Sequence, residues 1–162
     1  MRFSLIDRVV ELQPGSRITA LKSLSLAEEY LADHFPRAPV IPGVLMLEGL
    51  TQAAAWLIRS SENFAHSMVV LKEIRAVKFA NFVEPGQTMR ITAEITGQTE
   101  HETKLKAQGA VGENVTVSAK LVLTRYNLAD TVPDRAVNDA YMVEKLRELF
   151  AILYRPEVAA AS

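Results

Sequence analysis

The stretch from Val44 to Ile58, VLMLEGLTQAAAWLI, is apolar on nearly every helical face. A helix of that kind persists only where other elements enclose it, so the rest of the chain has to supply a wrapping. Within it stand Glu48 and Gln52, four positions apart and therefore on one side of the helix. An ionised carboxylate in such surroundings costs several kcal/mol to desolvate. Almost any apolar residue would fill the space at lower cost, so Glu48 reads as a group kept for its chemistry. The alternative is a helix-face carboxylate paired with an Arg or Lys.

The flanking sequence supplies the wrapping as strands. Residues 5–12 and 17–26 are strand-like runs separated by QPGS, whose Pro-Gly pair marks a turn. Residues 27–42 hold Pro36, Pro39 and Pro42, which makes their end an extended loop, and Pro42-Gly43 then opens a helix running to about Ser60. After the polar SSENFAH come runs at 68–82, 88–98, 102–111 and 115–126, split by VEPGQ and GEN. The alternation in RITAEI and VTVSAKLVLT predicts half-buried strands of an antiparallel sheet. One long helix among several strands implies an α+β fold with a curled sheet wrapped around the helix. From Asn127 the composition shifts, and AVNDAYMVEKLRELFAILY predicts a further helix at about 136–153. Its Tyr141, Val143, Leu146, Leu149, Phe150 and Leu153 fall on one side.

Bulk properties exclude several classes. A chain of 162 residues is most economically one domain with a real core. Its net charge of −1 offers no basic surplus for nucleic acid or a membrane surface. Without cysteine there is no disulfide, thiolate metal site or Cys nucleophile, in keeping with a reducing cytoplasm. Arg2, Asp7 and Arg8 break the first residues, which therefore do not read as a signal peptide. The longest apolar run falls short of the roughly 20 residues of a membrane span. The three histidines, His34, His66 and His101, lack metal-site spacing; the latter two lie in polar connections and are expected to be solvated.

The segment HFPRAPVIPGVLMLEGLTQ resembles the signature of the bacterial β-hydroxyacyl-(acyl carrier protein) dehydratases of the hotdog fold, the FabZ type. IDRVVELQPGSRITALKSLSL is similar to that family's first hairpin, and AVKFANFVEPGQTMRI to its later strand and turn. The resemblance covers roughly residues 5–126. It implies a hotdog domain over 1–126, followed by an extension, 127–162, that goes beyond the family's usual end. The related dehydratase-isomerase branch usually carries Asp where this chain has Glu48, so the Glu favours the simple dehydratase. Arg37 and Gln87 depart from common family residues at positions from which nothing is drawn.

Eliminating water from a 3-hydroxyacyl thioester needs a base at C2, an acid at the C3 hydroxyl and stabilisation of charge on the thioester oxygen. His34 is the natural base and Glu48 the natural acid, since an apolar setting favours a protonated carboxyl. Gly43 offers a first-turn N–H at the positive end of the helix dipole. Gln52 serves either the site or a buried backbone group. Gly43, Val44, Gln52, Leu47 and Phe79 are the expected substrate contacts; the resemblance implies an acyl tunnel lined by residues such as Leu45, Leu47, Leu50 and Phe79, each of which core packing explains equally well. It implies an acyl carrier protein as partner, self-association as a dimer or trimer of dimers, and no cofactor or metal. Lys72, Arg75, Lys78 and Arg125 are candidates for meeting an acidic carrier. Two rivals remain: a hotdog thioesterase using Glu48 to activate water, and a non-catalytic acyl-binding or assembly subunit.

Overall fold

The computed structural model describes residues 3–156. Two strands, β1 (Arg8–Gln13) and β2 (Arg17–Ser23), form the first hairpin, closed by the Pro14-Gly15 turn. A loop with a 3-10 turn at Glu29–Ala32 leads to helix α1 (Gly43–Ser61). Four longer strands follow: β3 (Met68–Phe79), β4 (Thr88–Gln98), β5 (Glu102–Val111) and β6 (Asn114–Tyr126). Two 3-10 turns then connect to helix α2 (Ala136–Leu153). The predicted C-terminal helix thus lies where its apolar stripe placed it.

All six strands form one antiparallel sheet in the order β1-β2-β4-β5-β6-β3. The strand that follows α1 therefore joins the edge far from the strand that precedes it. The helix lies between them and packs against β2 to β6. Alternation decides the faces: along β5, Thr103, Leu105 and Ala107 are buried while Lys104 and Lys106 are exposed. Ala93, Ala107 and Ala119 pair across β4, β5 and β6 on the buried face. Such small side chains let a helix lie close, and Leu50, Ala53, Ala54 and Leu57 of α1 are wholly buried in the same core. Gly86, at φ +90°, makes the turn into β4 with a backbone that only glycine adopts without strain.

The enclosure of α1 is less complete than its composition predicts. From Gly49 to Ile58 it is buried, apart from Gln52 on its side. In the first two turns Val44 is 70% exposed, and Leu45, Leu47 and Glu48 are half-buried. The polar side chains thus occupy a face that the chain's own sheet leaves open.

Helix α2 closes part of that side. Phe150 stacks on Trp56 of α1 at 5.5 Å and packs against Phe64 and Tyr154. Arg147 lies over the Phe64 ring at 4.8 Å and donates to the Asn63 carbonyl. At its start, buried Asp139 accepts hydrogen bonds from the N–H groups of Leu128 and Ala129 and from the Ser67 hydroxyl. At its end, Tyr154 bridges to Val9 of β1. The lower part of the apolar stripe of α2 therefore packs on α1 and the edge of the sheet, with Leu153 buried, Leu146, Leu149 and Phe150 half-buried, and Tyr141 exposed.

Candidate active site

His34 sits in the loop before α1, where Pro36, Pro39 and Pro42 prevent a helix from starting early. The next residue, Phe35, has φ +52°, a left-handed backbone that is unusual for an aromatic residue. Its carbonyl accepts the Ala38 N–H at 2.8 Å, closing a tight turn that holds the histidine ring edge-on to Phe35 at 4.6 Å. His34 is half-buried and makes no hydrogen bond among the described residues. It lines a small cavity of about 220 Å³ with Ile41, Gly43, Met46, Phe79 and Phe82.

Gly43 is the first residue of α1, after Pro42, which supplies no side-chain cap. The Leu45 and Met46 N–H groups bond back to the Pro42 carbonyl, while those of Gly43 and Val44 donate to no described residue. Two backbone donors at the positive end of the helix are thus left for an oxygen atom from outside. A Cβ on Gly43 would come within 2.9 Å of the Phe79 ring. The aromatic side chain and the bare backbone share one narrow space, so a larger residue here would displace the Phe79 ring.

Glu48 projects from the open face of α1. Gln52 donates from Nε2 to Glu48 Oε1 at 3.0 Å and to the Phe3 carbonyl at 3.0 Å. Its Oε1 accepts the Leu5 N–H at 2.8 Å. Gln52 thus bonds both to the Glu48 carboxylate and to the backbone of the incoming N-terminal segment. Glu48 lines a second, larger cavity of about 600 Å³, walled by α1, β3 and α2. Within one chain His34 and Glu48 face different cavities.

The remaining candidates divide by burial. Val44, Leu47 and Phe79 are accessible to a ligand, whereas Leu50 is fully buried core and leaves the set. Arg125 also leaves the set proposed for a carrier surface: only 6% exposed, it pairs with Glu62 at 2.8 Å and donates to Thr103 and the Thr99 carbonyl. Lys72 pairs with Glu102, and Arg75 with Glu73 at 2.7 Å, on the exposed face of the sheet. Lys78 is exposed. His101 is exposed as expected, while His66 is half-buried beside Glu62 at 3.2 Å. Among the described residues no group of three or more His, Asp or Glu side chains is placed to hold a metal ion, and no helix is long and apolar enough to cross a membrane. Arg59 and Lys145 also line the larger cavity and were not among the candidates from sequence, and Tyr141, which lines it too, was expected only as part of the apolar side of α2. The available signal was spacing: Arg59 follows Glu48, Gln52, Ala55 and Trp56 down one helical face.

The family model for a FabA-like domain matches residues 1–120. The chain belongs to the FabA-like family. Its relatives include the 3-hydroxyacyl-(acyl-carrier-protein) dehydratase FabZ of Levilactobacillus brevis, 41% identical over 116 residues that cover 72% of this chain and 78% of that protein. The corresponding FabZ of Ruminiclostridium cellulolyticum is 36% identical over 119 residues, 74% of this chain and 84% of that protein. Among solved structures, the dehydratase heterocomplex ApeI:P of Xenorhabdus doucetiae superposes with a TM-score of 0.66 at 17% identity, covering 82% of this chain and 90% of that one. The sheet curled on α1 is thus the hotdog fold, as the resemblance implied. The family match stops short of α2, the element that walls the larger cavity.

Proposed function

We propose that this FabA-like chain removes water from a 3-hydroxyacyl thioester carried on an acyl carrier protein, giving the trans-2-enoyl thioester in fatty-acid biosynthesis or a related acyl pathway. The single observation that carries the reading is the helix start. Among the described residues the N–H groups of Gly43 and Val44 are unpaired, and Gly43 shares a cavity with His34, which also lacks a hydrogen-bond partner, with Glu48 farther along the same helix. The names of the FabZ relatives supply the substrate class.

The reaction follows from these positions. The thioester oxygen accepts the helix-start N–H groups, which stabilise the negative charge that grows on it as C2 loses its proton. His34 takes that proton. Glu48, steadied by Gln52, gives a proton to the C3 hydroxyl, which leaves as water while the C2–C3 double bond forms. The thioester bond is untouched. Because His34 and Glu48 of one chain face different cavities, the complete site joins His34 of one chain to Glu48 of a second, in a dimer or a trimer of dimers.

The test uses a 3-hydroxyacyl carrier protein as substrate. Dehydration gives an enoyl product with near-ultraviolet absorbance and an intact thioester. Release of free thiol instead would identify a thioesterase, and neither signal would leave a non-catalytic acyl-binding subunit.

A further inference from the structure

The elimination uses only one end of the larger cavity. Glu48, Gln52, Ala55, Trp56 and Arg59 descend one face of α1, and the eleven positions from Glu48 to Arg59 span roughly 16 Å of helix. Tyr141, Lys145 and Leu149 of α2 form the facing wall, and β3 contributes Met68 and Val70 at the side. The volume of about 600 Å³ is that of a ligand site.

The far end is cationic. The Arg59 guanidinium is largely buried over the Trp56 ring at 5.5 Å, and burial pulls its pKa down to about 10. Among the described residues its Nε, like those of Arg17 and Arg125, has no hydrogen-bond partner, and the guanidinium makes one long 3.5 Å contact, from Nη2 to the Val69 carbonyl. Among the described residues no carboxylate lies within ion-pair distance of it. The buried Arg125, by contrast, has Glu62 at 2.8 Å. Buried cations are retained where something neutralises them. Lys145 adds a second positive charge to the same end; its own pair with Glu148, at 3.1 Å, lies on the exposed side of α2.

Resting on the dehydratase reading above, we propose that this cavity takes an extended acyl chain whose far end carries an anionic group, a carboxylate received by Arg59 and backed by Lys145, with the thioester end at Glu48. A phosphate at the end of a carrier's pantetheine arm has the same charge. The walls favour an alkyl chain, because Ala55, Val70, Leu71, Leu146 and Leu149 present an apolar surface along most of the cavity. Helix α2 then selects the substrate of this chain.

Calorimetry on the full chain tests the site without turnover, comparing the monoamide of a medium-length alkanedioic acid with the matching neutral diamide. The carboxylate should bind about tenfold tighter or more, the scale of a hydrogen-bonded charge pair. Arg59→Met should abolish the preference, Lys145→Met should reduce it, and Leu149→Trp, which fills the cavity, should weaken both ligands. Equal binding of the two by the wild type, or a preference that survives both Arg59→Met and Lys145→Met, overturns the proposal. A parallel arm measures dehydration of N-acetylcysteamine thioesters ending in methyl or carboxylate. These carry no phosphate, so an Arg59→Met defect confined to carrier-bound substrates assigns Arg59 to the arm and overturns the proposal as well. Arg59-dependent binding without dehydration of any thioester would sink the dehydratase reading while supporting the anionic site. Dehydration of both thioesters at equal rates would do the reverse.

Discussion

Gly43 illustrates how one missing methyl group shapes the candidate site. Its Cα faces the Phe79 ring, and a Cβ there would sit 2.9 Å from it. In Gly43→Val the ring has to swing aside and the branched side chain covers the helix-start N–H groups. Since Phe79 is 54% exposed, the ring can move at small cost to folding. Turnover should therefore fall much further than the melting temperature. A loss of activity that tracks the loss of stability would instead reduce Gly43 to a turn residue. The proposed acid and base make a second prediction at this scale. His34→Ala and Glu48→Gln should each lower turnover by at least ~100-fold, the usual scale for a positioned acid or base. Both side chains are half-buried and outside the tightly packed core, so circular dichroism and melting should stay near wild type. Near-normal dehydration in either variant would remove that residue from the mechanism.

At the scale of elements, α2 is held at its start by a polar clamp and along its length by aromatic packing. Burial pushes the Asp139 carboxyl up. The Ser67 hydroxyl and the N–H groups of Ala129 and Leu128 outweigh that and hold it below its ordinary value of 3.8. A carboxyl depressed in the folded state contributes stability that is present above 3.8 and is lost as pH falls through the folded value. Acid should therefore loosen α2. Glu28, also depressed beside Lys22 and Tyr30 although burial opposes the shift, titrates in a neighbouring range, so the informative quantity is a difference between variants. Asp139→Asn should melt lower than wild type at neutral pH, and the gap should narrow as pH drops below about 3.8. A gap independent of pH in thermal melts would show that the charge at Asp139 is not what anchors the helix. Phe150→Ala tests the packing half of the attachment. It should cost about 2–4 kcal/mol in denaturant unfolding, near the low end for an aromatic truncation because the ring is half-buried.

On the scale of the whole molecule, the proposed site calls for a second chain. Strand β3 is an edge of the sheet, and its end carries Phe79 and, just beyond, Phe82, which is 73% exposed. An unpaired edge with exposed aromatic residues suits pairing with another copy. The separation of His34 from Glu48 supplies a functional reason for such pairing. Co-refolding His34→Ala chains with Glu48→Ala chains tests it directly. In a mixed dimer one site carries both lesions and the other neither, so random pairing should restore roughly a quarter of wild-type activity. If both residues served from one chain, every site would stay broken and mixing would recover nothing.

The sequence by itself determined whatever depends on neighbours along the chain. Pro42-Gly43 set the start of α1, the alternation of buried and exposed residues set the strands, and the stripe of Leu146, Leu149, Phe150 and Leu153 set α2. These signals are local because backbone geometry repeats every two residues in a strand and every 3.6 in a helix. Glu48 stood out for the same reason, as a carboxylate among apolar neighbours, whereas His34 was singled out by the resemblance of the segment HFPRAPVIPGVLMLEGLTQ. Tertiary structure alone decided which residues meet across long separations. It sent β3 to the edge beside β6, buried Arg125 against Glu62, and left open the face of α1 that carries Glu48. It also laid α2 along Trp56 and thereby built a cavity from residues more than eighty positions apart. No pattern within a window predicts such meetings, because they are fixed by how whole faces pack once the apolar surface is shared among all the elements.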